Sequence, residues 1–141
     1  MAEKIFDQDF EGFWREINKS GLPTYSGVYV VQSCIYNKEE STVTLKKLIY
    51  IGKADKSIRH RVQEHEKLND WKKELRTGEV LCYSCTEVNS IYNERVEAAL
   101  INANKPIVNF EYKYSFPFNK THVNSRGRYS KLKEQITVIR H

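Results

Sequence analysis

The residues best able to do chemistry are an arginine, a histidine and a glutamate on two helices predicted by their spacing. In the helix expected from Ile58 to about Leu68, Ile58, Arg61, Val62 and His65 fall within about 100° of one another on a 3.6-residue wheel. Arg61 and His65 thus share the inward stripe with its two aliphatics. An unpartnered charge buried there costs several kcal/mol, so the pair reads as facing a polar cavity or a ligand. The competing reading is an arginine that snorkels past the core and a histidine bonded to a carbonyl. In a later helix, Tyr92, Val96, Ala99, Leu100 and Ala103 form the buried stripe, with Glu97 at its edge and Glu94 pointing away. Glu97 is the acid placed to reach the rim of a cleft, although a boundary glutamate paired with a base fits the same spacing.

The elements that must position these residues follow from periodicity and turn signals. Phe10, Phe13, Trp14 and Ile17 recur at helical spacing, which predicts an amphipathic N-terminal helix over about residues 7–20, capped by Asp7 and stopped at Gly21 to Pro23. The β-branched and aromatic runs 27–36 and 44–52, separated by a polar stretch, predict an antiparallel hairpin. A short helix over 70–76, a strand over 79–88 and a helix from Asn89 or Ser90 to about Asn104, stopped by Pro106, complete the series. The expected fold is α+β, a small three-stranded, mainly antiparallel sheet flanked by helices.

The hairpin reads Gly27-Val28-Tyr29 on one strand and Tyr50-Ile51-Gly52 on the other, which resembles the paired signature of the GIY-YIG nuclease superfamily. Ile58-x-x-Arg61-Val62-x-x-His65 is similar to that family's arginine helix. Glu97-Ala-x-Leu100-Ile101, followed by Lys105-Pro106-x-x-Asn109, is similar to its glutamate helix. The resemblance covers about residues 22–112. It departs in two places: twenty residues lie between Tyr29 and Tyr50, about twice the number in many members, and one residue is added between Gly52 and Arg61. In its longer hairpin and lack of a second large domain the chain looks like the compact restriction-type or freestanding members.

The resemblance implies an endodeoxyribonuclease that hydrolyses DNA phosphodiester bonds. It implies one divalent ion, Mg²⁺ or Mn²⁺, held by Glu97, with Arg61 on the scissile phosphate. Tyr29 or Tyr50 is the water activator it implies, with His65 to share that proton and Asn109 to order the site. A phenol needs a downward shift of about three pKa units to be half ionised at pH 7, and Lys53, Arg61 and the metal could supply it. Tyr36 and Tyr83 read as core aromatics. The alternative is a nucleic-acid-binding domain without turnover. Double-strand cleavage by one-site subunits would imply a homodimer.

Bulk properties agree with a single domain of 141 residues carrying a net charge of +5. No apolar run is long enough for a membrane helix, and three cysteines fit a reducing cytoplasm better than a disulfide framework. Cys82 and Cys85 form a CxxC, but three residues along a strand turn to opposite faces, so zinc is not expected. Residues 113–141 hold seven basic residues and one acid, whereas the rest of the chain holds 16 bases and 17 acids. This segment reads either as a basic C-terminal extension that grips phosphates through Arg126, Arg128, Lys131 and Lys133, or as a solvated tail, with Ile136, Val138 and Ile139 resembling a short closing strand that would belong to the core.

Overall fold

The computed structural model describes residues 2–141. Its centre is the expected hairpin, β2 (Gly27–Asn37) against β3 (Thr42–Ala54), antiparallel, with Tyr29 directly opposite Gly52. β4 (Val80–Glu87) pairs antiparallel with the other edge of β2. Strand β2 is buried continuously from Gly27 to Cys34 because both sheet faces are covered. Val28 and Val30 pack towards a helix formed by Asn93–Asn104, whereas Tyr29 and Val31 pack with Ile58, Val62 and Trp71. A strand covered on both faces reads as an unbroken apolar run, as this one does.

The sheet does not stop at three strands. It is a six-stranded mixed sheet in which β3, β2 and β4 are followed in order by β1 (Lys4–Arg15), β5 (Thr121–Gly127) and β6 (Gln135–Val138), curled into a half-barrel, and this overturns the expected three-stranded architecture. The predicted N-terminal helix is instead strand β1 (Lys4–Arg15), antiparallel to β4 and followed by a 3-10 helix at Glu16–Gly21. Its true period is two: Phe6, Gln8 and Phe10 face inward while Asp7 and Asp9 face water. The polar Gln8 disguises this alternation, yet its amide is satisfied by Thr86 Oγ1 at 2.8 Å and the Glu87 carbonyl at 3.0 Å. Ile17, assigned to the helical stripe, is exposed. Asp7 caps nothing and accepts a hydrogen bond from Asn124.

The segment 113–141 is not an appended extension either. It contributes β5 (Thr121–Gly127), parallel to β1, and β6 (Gln135–Val138), antiparallel to β5. Phe116, Val123, Leu132, Ile136 and Val138 from this segment are buried in the main core. All its basic residues except Arg126 lie outside these two strands, which is why composition alone resembles a solvated tail.

Three α-helices occur among the described residues: α1 (Ile58–Gln63), α2 (Leu68–Lys72) and α3 (Asn93–Asn104). The single helix expected to about Leu68 ends five residues early. Ser57 caps α1 through a hydrogen bond from His60 N–H. Helix α3 ends as expected before Pro106, with Lys105 left-handed at its C-terminus. It is tied to the sheet by the buried Arg95, which donates to Thr121 Oγ1 at 2.8 Å and to the carbonyls of Ala2, Asn119 and Lys120. The three cysteines are free and buried. Among the described residues no helix is long and apolar enough to cross a membrane.

Candidate active site

Tyr29 projects from β2 across the backbone of Gly52, and its ring occupies the space a side chain at residue 52 would need. The ring is buried, with 1% of the residue exposed, and Tyr29 Oη lies 2.7 Å from His65 Nε2. His65 follows the end of α1 rather than standing on it; the chain turns there and drives the imidazole inward. The ring rests 4.3 Å from Trp71 and 5.6 Å from Tyr50, between centroids.

The hydrogen bonds around His65 fix its tautomer. Burial, reinforced by the charge of Arg61, holds its pKa down to about 4, so the ring is neutral near pH 7. Nδ1 accepts the backbone N–H of Lys67 at 3.1 Å. A neutral imidazole has one proton, so Nε2 carries it and donates to Tyr29 Oη. The Tyr29 hydroxyl hydrogen is then left to point elsewhere.

Burial raises Tyr29 well above an ordinary phenol and pushes Tyr50 up to about 12; in both, Arg61 opposes the shift without reversing it. Both are neutral phenols at rest. The downward shift that a phenolate base requires is absent from the protein's own charges.

Arg61, from α1, is half-exposed, and both terminal guanidinium nitrogens grip the Glu66 carboxylate at 2.7 and 2.8 Å. This bond holds Glu66 down to about 2. The arginine is therefore paired within the protein rather than unpartnered, and it is not buried on an inward stripe. Glu66 was not legible as its partner because a separation of five is not a helical neighbour; the turn after α1 brings it back.

Glu97 enters from α3. Burial pushes its carboxyl up to about 7; Lys53 opposes this, and Glu94, Glu111 and Asp55 add repulsion. Lys53 is itself engaged with Asp55 at 2.8 Å, and Asn93 also donates to that carboxylate. Asn109 bonds both ways to Ile51, accepting its N–H and donating to its carbonyl, each at 2.9 Å. Val108 N–H reaches the Ile49 carbonyl at 2.9 Å. Residues 108 and 109 thus complete the free edge of β3 as a further strand would. Asn109 thereby orders the Tyr50-Ile51-Gly52 segment.

Tyr29, Tyr50, Lys53, Arg61, Glu97 and Asn109 line one cleft of about 550 Å³. His65 does not line it and reaches it through Tyr29. Lys56, Lys67, Phe110 and Glu111 also line it and were not singled out from sequence; only their neighbourhood to the motif residues could have drawn attention to them. Arg126, Arg128, Lys131 and Lys133 do not line it. Strand β5 lies three places from β2 in the sheet, Arg126 is paired with Asp9 at 3.0 Å, and the Arg128 guanidinium lies 5.8 Å from the Phe13 ring. Tyr83 is a core residue, while Tyr36 is half-buried beneath the Arg15 guanidinium.

Among the described residues no three His, Cys, Asp or Glu side chains converge as a metal cage. A single desolvated carboxylate beside an open polar cleft fits a magnesium-like ion, which keeps several waters and takes one or two carboxylates. No protein-family profile, no curated protein and no solved structure matches this chain.

Proposed function

We propose that the protein is a divalent-metal-dependent endonuclease of GIY-YIG type that hydrolyses DNA phosphodiester bonds at this cleft. The observation that carries the reading is the meeting of Tyr29, Tyr50, Arg61, Glu97 and Asn109 in one cavity, although they come from separate elements spread over 81 residues, counted from 29 to 109. Arg61 presents a planar fork that matches two phosphate oxygens, once Glu66 releases it. Glu97 would hold the metal. When bound, the ion supplies positive charge that lowers the pKa of a coordinated water and of the neighbouring phenols. Were Tyr29 to release its proton to water in the cleft, the His65 N–H already aimed at Oη would stabilise the phenolate. Trp71 and the β2–β3 ladder hold that pair in place.

A binding domain without turnover is the second reading, favoured by the occupied fork of Arg61 and the high pKa of both tyrosines. Nicking of supercoiled plasmid in Mg²⁺ against EDTA separates the two. Glu97→Ala is expected to abolish nicking and leave DNA binding in calcium within a few-fold of wild type. Retention of more than about a hundredth of the activity, under roughly 3 kcal/mol in barrier terms, would remove Glu97 as the metal ligand. Metal-independent binding with no nicking by wild type would leave the binding domain.

A further inference from the structure

Phe110 is 86% exposed, although it lies next to the buried Asn109. Its backbone is not loose: the preceding two residues are held to β3 by the Val108 N–H bond and by both arms of the Asn109 amide. The phenyl ring is thus held out from the cleft wall by a fixed mount, where it gains no apolar contact to offset its exposure. Along the same connection Tyr114 is 79% and Ile107 50% exposed. Isolated surface aromatics are common and need no explanation. An aromatic on a rigid mount, in the wall of a cleft lined by both lysines and the acids Asp55, Glu97 and Glu111, is less easily dismissed. Lys56 and Lys67 line that cleft and form no ion pair among the described residues.

Cations beside a projecting planar ring match the two chemical parts of a nucleotide, a phosphate and a base face. Within an undisturbed duplex each base face is covered by its neighbours, so a side chain can stack only on a base that has left the stack. We infer that Phe110 stacks on an unpaired nucleobase beside the phosphate held in the cleft, so that the preferred substrate is a strand opened at that step: a flap, a loop, a mismatch or a single strand. The inference rests on the nuclease reading for the bond that is cut, but the stacking contact is testable without cleavage.

The probes are a single-stranded oligonucleotide containing 2-aminopurine and the blunt duplex of the same sequence, both measured with calcium in place of magnesium. Phe110→Ala is expected to weaken binding of the single strand about 5- to 150-fold, the range for loss of one base–aromatic stack, and to change duplex binding less than about twofold. Phe110→Tyr should bind like wild type, and the added indole of Phe110→Trp should be quenched by the oligonucleotide beyond any quenching seen with Trp14 and Trp71 alone. Equal affinity of wild type and Phe110→Ala for the single strand would overturn the inference, as would an equal loss for both probes. A change in sedimentation of Phe110→Ala without any change in oligonucleotide affinity would also overturn it and assign the ring to contact between copies of this chain. Plasmid nicking by wild type alongside unaltered behaviour of Phe110→Ala would sink the stacking contact and spare the nuclease. Stacking without any metal-dependent cleavage would do the reverse.

Discussion

Tyr29 and Gly52 face each other across the β2–β3 ladder, and the phenol ring of one fills the space left by the missing side chain of the other. The glycine is needed for the approach rather than for a turn. Gly52→Ala would force the Tyr29 ring off His65 or push the strands apart. It is expected to lower stability by about 1–3 kcal/mol in urea unfolding, and to remove most nicking activity even where the fold survives. Tyr29→Phe keeps the ring and loses only the hydroxyl bonded to His65. It should cost about 1 kcal/mol of stability and most of the turnover. Wild-type nicking by Tyr29→Phe would shift the role to Tyr50.

Two buried groups titrate in opposite senses, and their effects on stability oppose one another. His65 moves down from 6.5 to about 4, so between those values the unfolded chain binds a proton that the folded one refuses. Its contribution is complete above pH 6.5 and is lost as pH falls toward 4. Glu97 moves up from 4.5 to about 7, so the folded chain keeps a proton that the unfolded one has released. Its contribution is complete below pH 4.5 and is lost as pH rises through 7. Relative to metal-free wild type, Glu97→Gln should steepen the loss of stability on acidification. His65→Gln should instead make stability decline with rising pH across the same range. Each slope change is at most about 1.4 kcal/mol per pH unit, read from urea midpoints between about pH 5 and 6.5. Parallel curves for all three proteins would show that neither group is buried in the stated ionisation state.

Glu66 occupies the guanidinium fork that a phosphate would use. Glu66→Gln removes this competitor while leaving Arg61 in place. Because exposed ion pairs contribute about 0.2–1 kcal/mol, the variant should bind DNA roughly two- to fivefold more tightly in EDTA and melt within a degree or two of wild type. Fluorescence anisotropy titration measures the first effect. Unchanged affinity would place the phosphate away from Arg61.

Salt dependence distinguishes the cleft from the C-terminal strands. Lys56→Gln combined with Lys67→Gln should flatten the slope of log K against log salt by nearly two if each lysine meets a phosphate. Arg126, Arg128, Lys131 and Lys133, changed together to Gln, should flatten it by less than about one, since they do not line the cleft and Arg126 is spent on Asp9. The opposite ranking would place the DNA across β5.

The hairpin and α3 were legible because their signals are local: β-branched runs around a polar turn, and an apolar stripe ended by Pro106. β1 was not, since Phe10, Phe13 and Trp14 satisfy helical spacing by coincidence. Its actual alternation carries a glutamine inward, and the register against β4 shifts between Gly12 and Trp14. No local pattern shows that Lys4–Phe10 pairs with Thr121–Gly127. At the site, His65 is buried as expected, although its helix ends before it. Arg61 faces the cleft as the wheel argument suggested, but its pairing with Glu66 was not legible, because that partner lies on a turn that periodicity does not describe.

The parallel pairing of β1 with β5 also orders the events of synthesis. Residues 4–10 leave the ribosome well before their hydrogen-bonding partners at 121–127, with residues 11–120 made in between. A nascent chain short of residue 127 can close the β2–β3 hairpin, but it leaves one edge of β1 bare, with its Phe6 and Phe10 faces lacking Val123, Ile136 and Val138. A bare edge of that length is a template for pairing with another chain. Stalled or truncated products should therefore aggregate through the N-terminal strand, and protection of its amides from exchange should appear only after the final strands have docked.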